Sequence, residues 1–420
     1  MEEPFFTNDT IVFGLLMLAL GFVFYTESIK TGFWGKFYKY VPALLMCYLL
    51  PAIFNSIGLI SDKNSQLYFV ASRYLLPAAL VLMTLSIDLK SIFNLGPKAL
   101  IMFFTGTIGI ILGGPLAILL ISAVSPETVG GVGFDAVWRG LSTLAGSWIG
   151  GGANQAAMLE IYEYNPEKYG GMVLVDIVVA NLWMAIILLG IGKTNKIDKW
   201  LKADTAAIEE LKDKVSTFAA KVSRNPNLTD FIIILSLAFV AVALAHWGAN
   251  SISAGLKNNF DAVADKSSAL SSFGSQFFWM VTIATIIGII LSFTKAKNYE
   301  GAGASKIGSV FIYILVATIG MKMDLGMILE NPGLIAIGIV WMSFHAGLLI
   351  LVAKLIKAPY FFLAIGSQAN VGGAASAPVV AAAFHPSLAT VGVLLAVFGY
   401  VVGTYGAILC TILMQIASKV

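Results

Sequence analysis

The sequence predicts an all-α polytopic membrane protein with about ten transmembrane helices and two re-entrant or broken-helix segments, arranged in two inverted repeats. Hydrophobic residues make up 58% of the 420-residue chain, and charged residues make up only 12%. Apolar runs of about 20 residues, the length that a helix needs to cross the hydrocarbon of a bilayer, recur along the chain. Two glycine-rich, amide-bearing stretches, 146–155 and 366–374, interrupt further apolar segments. In a bilayer, a helix is interrupted only where the freed backbone groups face a cavity, water or a solute.

Ten uninterrupted apolar runs are predicted to be the transmembrane helices. The first follows the acidic start Met1-Glu2-Glu3, whereas a cleaved signal peptide begins with basic residues, so we expect a retained first helix. Both cysteines, Cys47 and Cys410, fall inside these runs, so they indicate no disulfide framework. The ten runs lie near residues 10–27, 38–58, 67–87, 99–122, 169–192, 230–250, 274–293, 304–321, 332–353 and 387–417.

The two interrupted segments, 136–162 and 358–384, are predicted to be re-entrant hairpins. If the N-terminus is outside and both segments return to the side that they entered, most lysine and arginine residues lie inside, as the positive-inside rule requires. Full crossings would move the lysine-rich stretch 193–229 outside. Each leg has about 10 to 13 residues, or roughly 15 to 20 Å, and so reaches about half-way across the bilayer. A discontinuous helix that crosses completely remains the alternative.

This topology divides the chain into two membrane repeats and a cytoplasmic linker, with both termini outside. Residues 1–192 form the first repeat and residues 230–420 the second, which is inverted because five crossings per repeat is an odd number. In both repeats a tyrosine-to-Asp-Leu segment precedes a long apolar helix and a break that contains Gly-Gly-Ala, at Tyr74 to Leu89 and at Tyr313 to Leu325. The linker 193–229 has apolar residues at helical spacing, which predicts an amphipathic helix on the inner surface or a solvated connector helix.

The two breaks are the predicted substrate site. Glycine lets the backbone unwind at low steric cost, half-helix N-termini hold anions, and unwound carbonyls hold cations. Neutral amide and hydroxyl side chains beside the breaks are suited to orienting a polar solute. The alternative is that the glycines only allow close helix packing and that the amides satisfy backbone groups. The predicted substrate-binding residues are Ser147, Gly151, Gly152, Asn154, Gln155, Ser367, Gln368, Asn370, Gly372, Gly373, Ser376 and, at the start of the first hairpin, Arg139.

Charged residues inside the apolar runs form a second set of candidates, because an ionisable group at membrane depth is costly. Asp176, with Asn181 five residues later, is predicted to serve the coupling ion, either as an Na⁺ ligand or as a proton carrier. A salt bridge from Asp176 to Arg73 is the structural alternative. Arg139 meets an anionic substrate from outside or anchors a helix end at the interface. His345 relays protons or makes a hydrogen bond in helix packing.

Familiar catalytic and nucleic-acid signals are missing from the sequence. Gly190 to Thr194 lacks the spacing and the preceding strand of a phosphate-binding loop. No HExxH motif, clustered His and Cys set or nucleophile elbow is present, and the three histidines are scattered. We therefore expect no enzyme activity, no nucleic-acid partner and no cofactor beyond Na⁺ as a coupling ion.

Three stretches resemble the YjcL-like family of bacterial inner-membrane proteins. They are the run 146–158, the Asp176 to Asn181 part of the next helix, and the run 366–378, and the similarity extends over nearly the whole chain. The resemblance implies location in the bacterial cytoplasmic membrane. In architecture alone, the pattern is also similar to sodium-coupled glutamate and citrate carriers, which implies an elevator motion against a dimeric scaffold, and hence a homodimer.

The sequence favours a secondary active transporter that moves a small polar organic solute, such as an amino acid, a short peptide or a carboxylate, by coupling to Na⁺ or H⁺. A carboxylate-bearing solute is preferred, and the lipid bilayer is the other partner. One alternative is a channel or a non-coupled membrane module whose broken helices line a pore. A membrane-embedded enzyme is less favoured, because one candidate carboxylate without a clear partner does not make a catalytic constellation.

Overall fold

The computed structural model describes residues 4–41, 43–61, 65–85, 95–204, 225–265, 270–323, 331–385 and 388–419. This part of the chain is helical, and its β structure is limited to an isolated bridge between Phe6 and Ile60. We number the main helices in chain order. They are α1 Asp9–Ser28, α2 Gly32–Tyr40, α3 Ala43–Ser56, α4 Leu67–Leu85, α5 Pro97–Ser122, α6 Val137–Tyr162, α7 Tyr169–Ile191, α8 Thr194–Leu201, α9 Leu228–Asn259, α10 Gln276–Ser292, α11 Ala304–Gly320, α12 Gly333–Leu355, α13 Tyr360–Val371, α14 Gly373–Phe384 and α15 Ala389–Ala417.

The all-helical membrane character is confirmed, but the predicted count of ten spans is not. In the described part of the chain, seven helices are long and apolar enough to cross a membrane, and two bent helix pairs raise the number to at most nine. One of these pairs, Gln276–Ser292 and Lys295–Ala302, bends by 96°. The apolar run at 304–321 forms α11, which has 17 residues. Such a helix is about 25 Å long, which is short of the roughly 30 Å of a bilayer's hydrocarbon core.

Local sequence signals account for several helix starts. The side chain of Asn8 accepts a hydrogen bond from the backbone N–H of Thr10 at 2.9 Å and so caps α1. Asn227 and Asp230 form a reciprocal capping box at the start of α9. Pro97 occupies the first position of α5, where a missing N–H costs nothing. These helices therefore begin where the unpaired N–H groups of the first turn have a local solution.

The long helices pack into two groups. The hairpin group contains α5, α6, α7 and α12 to α15, and the frame group contains α1, α3, α4 and α9 to α11. Packing is extensive inside each group, above all between α6 and α15 and between α9 and α10. It is sparser between the groups, where α4 meets α6 and α15, α10 meets α6, and α3 meets α7. The candidate site lies in the hairpin group.

The outer faces of the helices are apolar. On α9, Val240 and Trp247 are exposed, and on α7 Leu189 is exposed. Water would penalise such surfaces, whereas lipid tails match them. In the linker, α8 is described, but residues 205–224, which carry most of the predicted amphipathic helix, lie outside the described residues. Asp88 and Asp324, which belong to the predicted repeat pattern, also lie outside them.

Candidate functional site

Helix α6 folds back on itself at Gly151, and we call it hairpin 1. Gly151 has φ 75° and ψ −172°, a backbone conformation open essentially only to glycine. A Cβ atom on Gly146 would lie 2.6 Å from the carbonyl oxygen of Asn154, although eight residues of continuous helix would separate them by about 12 Å. At the other end of the legs, the rings of Trp138 and Tyr162 are 5.9 Å apart. The two legs therefore run antiparallel, and both ends of hairpin 1 lie on the same side.

Helices α13 and α14 form hairpin 2, which has the same shape. The chain reverses at Gly373, whose φ is +55°. Beside this turn, the Ser376 hydroxyl donates to Oε1 of Gln368 at 2.8 Å and so ties the second leg to the first. At the open end, the rings of Phe361 and Phe384 are 5.3 Å apart. Hairpin 2 thus also reverses at a glycine, and its two legs contact each other at the open end.

The two hairpin tips meet. A Cβ atom on Gly373 would lie 3.8 Å from the Cα atom of Gly151. Most described residues of the four legs are buried, but Gly151, Gly152, Gly372 and Ser376 are partly exposed. The glycines of the two sequence breaks thus come together at one partly exposed position, where the four hairpin legs end.

Asn154 lies just after the tip of hairpin 1 and makes all its hydrogen bonds within the hairpin group. Its Nδ2 donates to the carbonyl of Gly150 at 2.8 Å and to that of Tyr400 at 3.4 Å, and its Oδ1 accepts from the Thr404 hydroxyl at 2.5 Å. The side chain is fully buried. Asn154 therefore fixes hairpin 1 to α15 and has protein partners at both ends of its amide.

Asn370 makes the corresponding bonds for hairpin 2. Its Nδ2 donates to the carbonyls of Gly366 at 2.8 Å and Phe103 at 2.9 Å, and its Oδ1 accepts from the Thr107 hydroxyl at 2.8 Å. It is also fully buried, so it fixes hairpin 2 to α5. The sequence leaves two roles open for these amides, which are to orient a solute or to satisfy backbone groups. In the structure both asparagines satisfy backbone groups.

Asp176 on α7 is clamped by hairpin 1. Its carboxylate accepts hydrogen bonds from Ser147 Oγ at 2.7 Å, Trp148 Nε1 at 2.7 Å and Gln155 Nε2 at 3.1 Å. All four residues are buried. These donors take three of the roughly four lone-pair positions of a carboxylate, and two of them are N–H groups that repel a cation. The donor set therefore does not fit a bound sodium ion at Asp176.

Arg73, the alternative partner of Asp176, pairs with a different carboxylate. Its Nη1 atom lies 2.5 Å from Oε2 of Glu160 near the end of hairpin 1, and the Tyr68 hydroxyl donates to the other oxygen. Arg73 lies in a π-helical turn of α4, Ala71–Leu75. Such turns carry one extra residue and often occur at functional positions. This ion pair connects the frame group to the hairpin group.

Arg139 lies at the base of hairpin 1, twelve residues or about 18 Å along the helix from Gly151 at the tip. It donates to the carbonyl of Tyr162, and its guanidinium carbon is 4.9 Å from the centre of the Trp138 ring. It lines a cavity of ≈ 650 Å³ between the frame group and the hairpin group. The other lining residues include Arg73, Glu160, His246 and Lys257. Arg139 thus lies at this cavity beside the base of hairpin 1 and not at the hairpin tips.

A buried chain of hydrogen bonds joins four helices beside hairpin 2. The Trp183 indole donates to Ser367 Oγ at 2.7 Å, Ser367 Oγ lies 2.7 Å from His345 Nε2, and His345 Nδ1 lies 3.0 Å from the carbonyl of Gly106. Each group has a partner when the ring is neutral and Nδ1 carries its proton. His345 therefore makes hydrogen bonds between packed helices, which is the second of the two roles that the sequence leaves open for it.

One face of α7 holds both hairpins. Asp176 and Trp183 are seven residues apart, which is two helical turns, and they bind hairpin 1 and hairpin 2 respectively. Asn181 is on a different face, and its side chain donates to the carbonyl of Ile177 at 2.7 Å. The structure therefore does not bring Asn181 to Asp176. The two tryptophans, Trp148 and Trp183, were missed by the sequence reasoning, although an indole N–H inside a polar run is a ready donor to a buried acceptor.

The predicted substrate-binding residues thus separate into five places, one of which is the base of hairpin 1 with Arg139. Six line or adjoin the tips: Gly151, Gly152, Gln368, Gly372, Gly373 and Ser376. Ser147 and Gln155 bind Asp176, Ser367 joins the His345 chain, and the two asparagines bind long helices. In the part of the chain that the structure describes, no three His, Cys, Asp or Glu side chains are placed to hold a metal ion.

These features define a membrane protein with several candidate spans and two hairpins whose glycine tips meet inside the helix bundle. The chain belongs to a family described as a protein of unknown function, DUF819, whose model matches residues 14–417. It is 23% identical over 359 residues to the uncharacterized membrane protein YjcL of Bacillus subtilis (strain 168), which covers 84% of this chain and 85% of the relative. The resemblance to the YjcL-like family is confirmed, and the similarity to sodium-coupled carriers stays a hypothesis about architecture.

Proposed function

We propose that this protein is a secondary active transporter of a small polar organic solute, driven by a gradient of Na⁺ or H⁺ across the bacterial inner membrane. The observation that carries the proposal is the meeting of the hairpin tips at Gly151 and Gly373 in a protein with seven to nine candidate membrane spans. Interrupted helices that meet at membrane depth offer free backbone groups to a solute. The six tip residues form the binding site in this proposal.

An elevator motion of the hairpin group against the frame group provides the alternating access. Asp176, Trp183, Asn154 and Asn370 tie the two hairpins to α5, α7 and α15, so these elements move as one body. The sparser packing between the two groups supports sliding there. The Arg73–Glu160 ion pair crosses this boundary and has to break when the groups slide.

A labelling experiment tests alternating access even while the solute is unidentified. Both native cysteines are buried, so the background reaction with a membrane-impermeant thiol reagent is low. Ser376→Cys places a reporter at the tips. Thr10→Cys and Asn195→Cys, which are exposed on α1 and α8, report the two faces that we expect to be outside and inside. Each variant is labelled in right-side-out and in inverted vesicles.

A cross-link separates a transporter from a channel. A Cβ atom on Gly152 would lie 3.9 Å from Cγ2 of Ile312 on α11, so Gly152→Cys with Ile312→Cys can join hairpin 1 to the frame group. For a transporter, Ser376→Cys reacts from both sides when the cross-link is reduced and from one side only when it is oxidised. Reaction from both sides in the oxidised protein would indicate a pore, and reaction from one side in both states would overturn alternating access.

The driving ion is identified by transport once a solute is found. In proteoliposomes, uptake above the outside concentration that disappears when the Na⁺ or the H⁺ gradient is collapsed would establish coupling. Simple equilibration under every gradient would contradict it.

A further inference from the structure

We infer that the hairpin tips bind an anionic oxygen group, a carboxylate or a phosphate, of the transported solute. The inference rests on the proposed function, because it assigns the chemical class of the ligand at the same site. It follows from counting which hydrogen-bonding groups at the tips already have partners.

The acceptor at the end of the first leg in hairpin 1 is already used. The carbonyl of Gly150, the last residue before the reversal, accepts a hydrogen bond from Asn154 at 2.8 Å. In a hairpin the first leg ends at the tip with carbonyls and the second leg begins there with N–H groups, so the helix dipoles of the two legs oppose each other. Because the carbonyl of Gly150 already has a partner, it does not compete with the N–H groups for a ligand.

The donors at the start of the second leg in hairpin 2 have no side-chain cap among the described residues. Helix α14 begins at Gly373, and the residue at its capping position, Gly372, has no side chain that could accept from the first turn. The first N–H groups of a helix have no partner inside the helix. Serine, threonine, aspartate or asparagine usually fills this role. The first turn of α14 therefore presents N–H groups to the place where the tips meet.

Gln368 provides the independent observation. Its side chain is 1% exposed, its Oε1 accepts from the Ser376 hydroxyl, and its Nε2 is buried without a hydrogen-bond partner in the described part of the protein. The amide lies against the turn, since a Cβ atom on Gly372 would be 2.7 Å from Oε1. A buried N–H group without an acceptor costs free energy, and an anionic oxygen would satisfy it.

The charges nearby agree with a ligand that accepts hydrogen bonds. The six tip residues are uncharged, so no carboxylate among them repels an anion. The carboxylate of Asp176, which lies on the neighbouring helix α7, is occupied by the three donors of hairpin 1. Uncapped N–H groups and the free amide of Gln368 are thus donors that an anionic oxygen could engage at this place.

The test measures thermal stabilisation of the full-length protein in detergent by defined probes. The probes are succinate, glutamate and inorganic phosphate as anions, succinamide as the neutral analogue and putrescine as the cation. A ligand that binds the native state raises its apparent stability. We expect a concentration-dependent shift with at least one anion and none with succinamide or putrescine, and comparing the carboxylates with phosphate identifies the group.

Two variants of Gln368 and one control variant elsewhere in the protein locate the binding. Gln368→Glu replaces the free donor by a carboxylate of the same shape and should abolish stabilisation by the anion. Gln368→Met removes the donor without adding charge and should raise the anion concentration needed for half of the shift by about tenfold. Gln66→Glu, in the connection before α4, is the matched control and should bind as the native protein does. If Gln368→Glu is unstable, Ser376→Ala, which releases the amide of Gln368, replaces it and should weaken binding in the same direction.

Stabilisation by putrescine, or unchanged anion binding in the Gln368 variants, would overturn the inference. The same holds if no anion shifts the stability of the native protein. In either case, two-sided labelling of Ser376→Cys would leave the transporter proposal standing, so the two failures are distinguishable.

Discussion

Asn154 and Asn370 make the same three bonds in two different hairpins. Each donates to the carbonyl four residues earlier in its own hairpin and to a carbonyl of a long helix, and each accepts from a threonine hydroxyl four residues further along that helix. The helix is α15 for Asn154 and α5 for Asn370. One amide thus ties a hairpin leg to a whole helical turn of its neighbour.

These two amides should contribute to the stability of the folded protein. Asn154→Ala or Asn370→Ala should lower the free energy of unfolding by about 1–3 kcal/mol each, because the threonine and carbonyl partners stay buried without their bonds. Thermal unfolding in detergent measures the effect, with Asn195→Ala, exposed on α8, as the control. Equal melting temperatures in the buried and control variants would contradict the structural role.

The loss of stability on replacing a tip glycine by alanine should depend on the backbone conformation of that glycine. Gly151→Ala should destabilise more than Gly373→Ala, because φ 75° with ψ −172° is closed to alanine, whereas the left-handed region near φ +55° costs alanine about 1–2 kcal/mol. Gly152→Ala is the matched control, since its nearest neighbouring atom is 3.9 Å from the added Cβ. The order of melting temperatures checks the prediction, and a reversed order would contradict the described turns.

Asp176→Asn should release hairpin 1 from α7. The asparagine NH₂ would face an N–H donor of Trp148 or Gln155, so at least one charge-assisted hydrogen bond is lost. Two donors would then face each other without an acceptor between them. We expect a loss of about 1.5–3 kcal/mol in stability. Asp176→Glu, which keeps the charge, tests whether the position or only the charge matters. A fully stable Asp176→Asn protein would show that the clamp contributes little.

The Arg73–Glu160 pair should show energetic coupling. Glu160 has a side chain that is only 10% exposed, so Glu160→Gln leaves Arg73 without its counter-charge. A double-mutant cycle with Arg73→Met should give a coupling of about 1 kcal/mol or more. In the labelling assay, Glu160→Gln should also change the ratio of inside to outside reaction of Ser376→Cys. Additive effects and an unchanged ratio would exclude a link between the two groups at this pair.

Stability should fall in acid through Asp135, which lies in the turn before hairpin 1. Hydrogen bonding from Asn165 lowers the pKa of Asp135, against a smaller opposing effect of burial, and Lys168 lowers it further. A carboxyl group whose folded pKa is depressed stabilises the protein above its ordinary pKa of 3.8, and this contribution is lost as the pH falls through the lower folded value. Asp135→Asn should flatten the melting temperature between about pH 5 and about pH 2. The effect is small because the side chain is exposed.

The sequence located the two chain reversals because glycine runs inside apolar segments are rare and have few structural solutions. It could not assign partners. Asn154 and Asn370 bind helices that lie about 250 residues away in the chain, a pairing that no local pattern contains. The alternative of an Asp176–Arg73 pair was wrong because Glu160 is the partner of Arg73. The count of ten spans is not confirmed, because among the described residues α11 is apolar but short and two further spans would each be a bent helix pair.

Placing both hairpins on one face of α7 couples their geometry. Asp176 and Trp183 are on the same stripe of the helix, so a rotation of α7 by one residue, about 100°, would carry both attachment points away together. A displacement of α7 would therefore disturb the attachments of both hairpins at once. The position of Gly151 relative to Gly373 therefore depends on the orientation of α7 as well as on the direct contact between the tips.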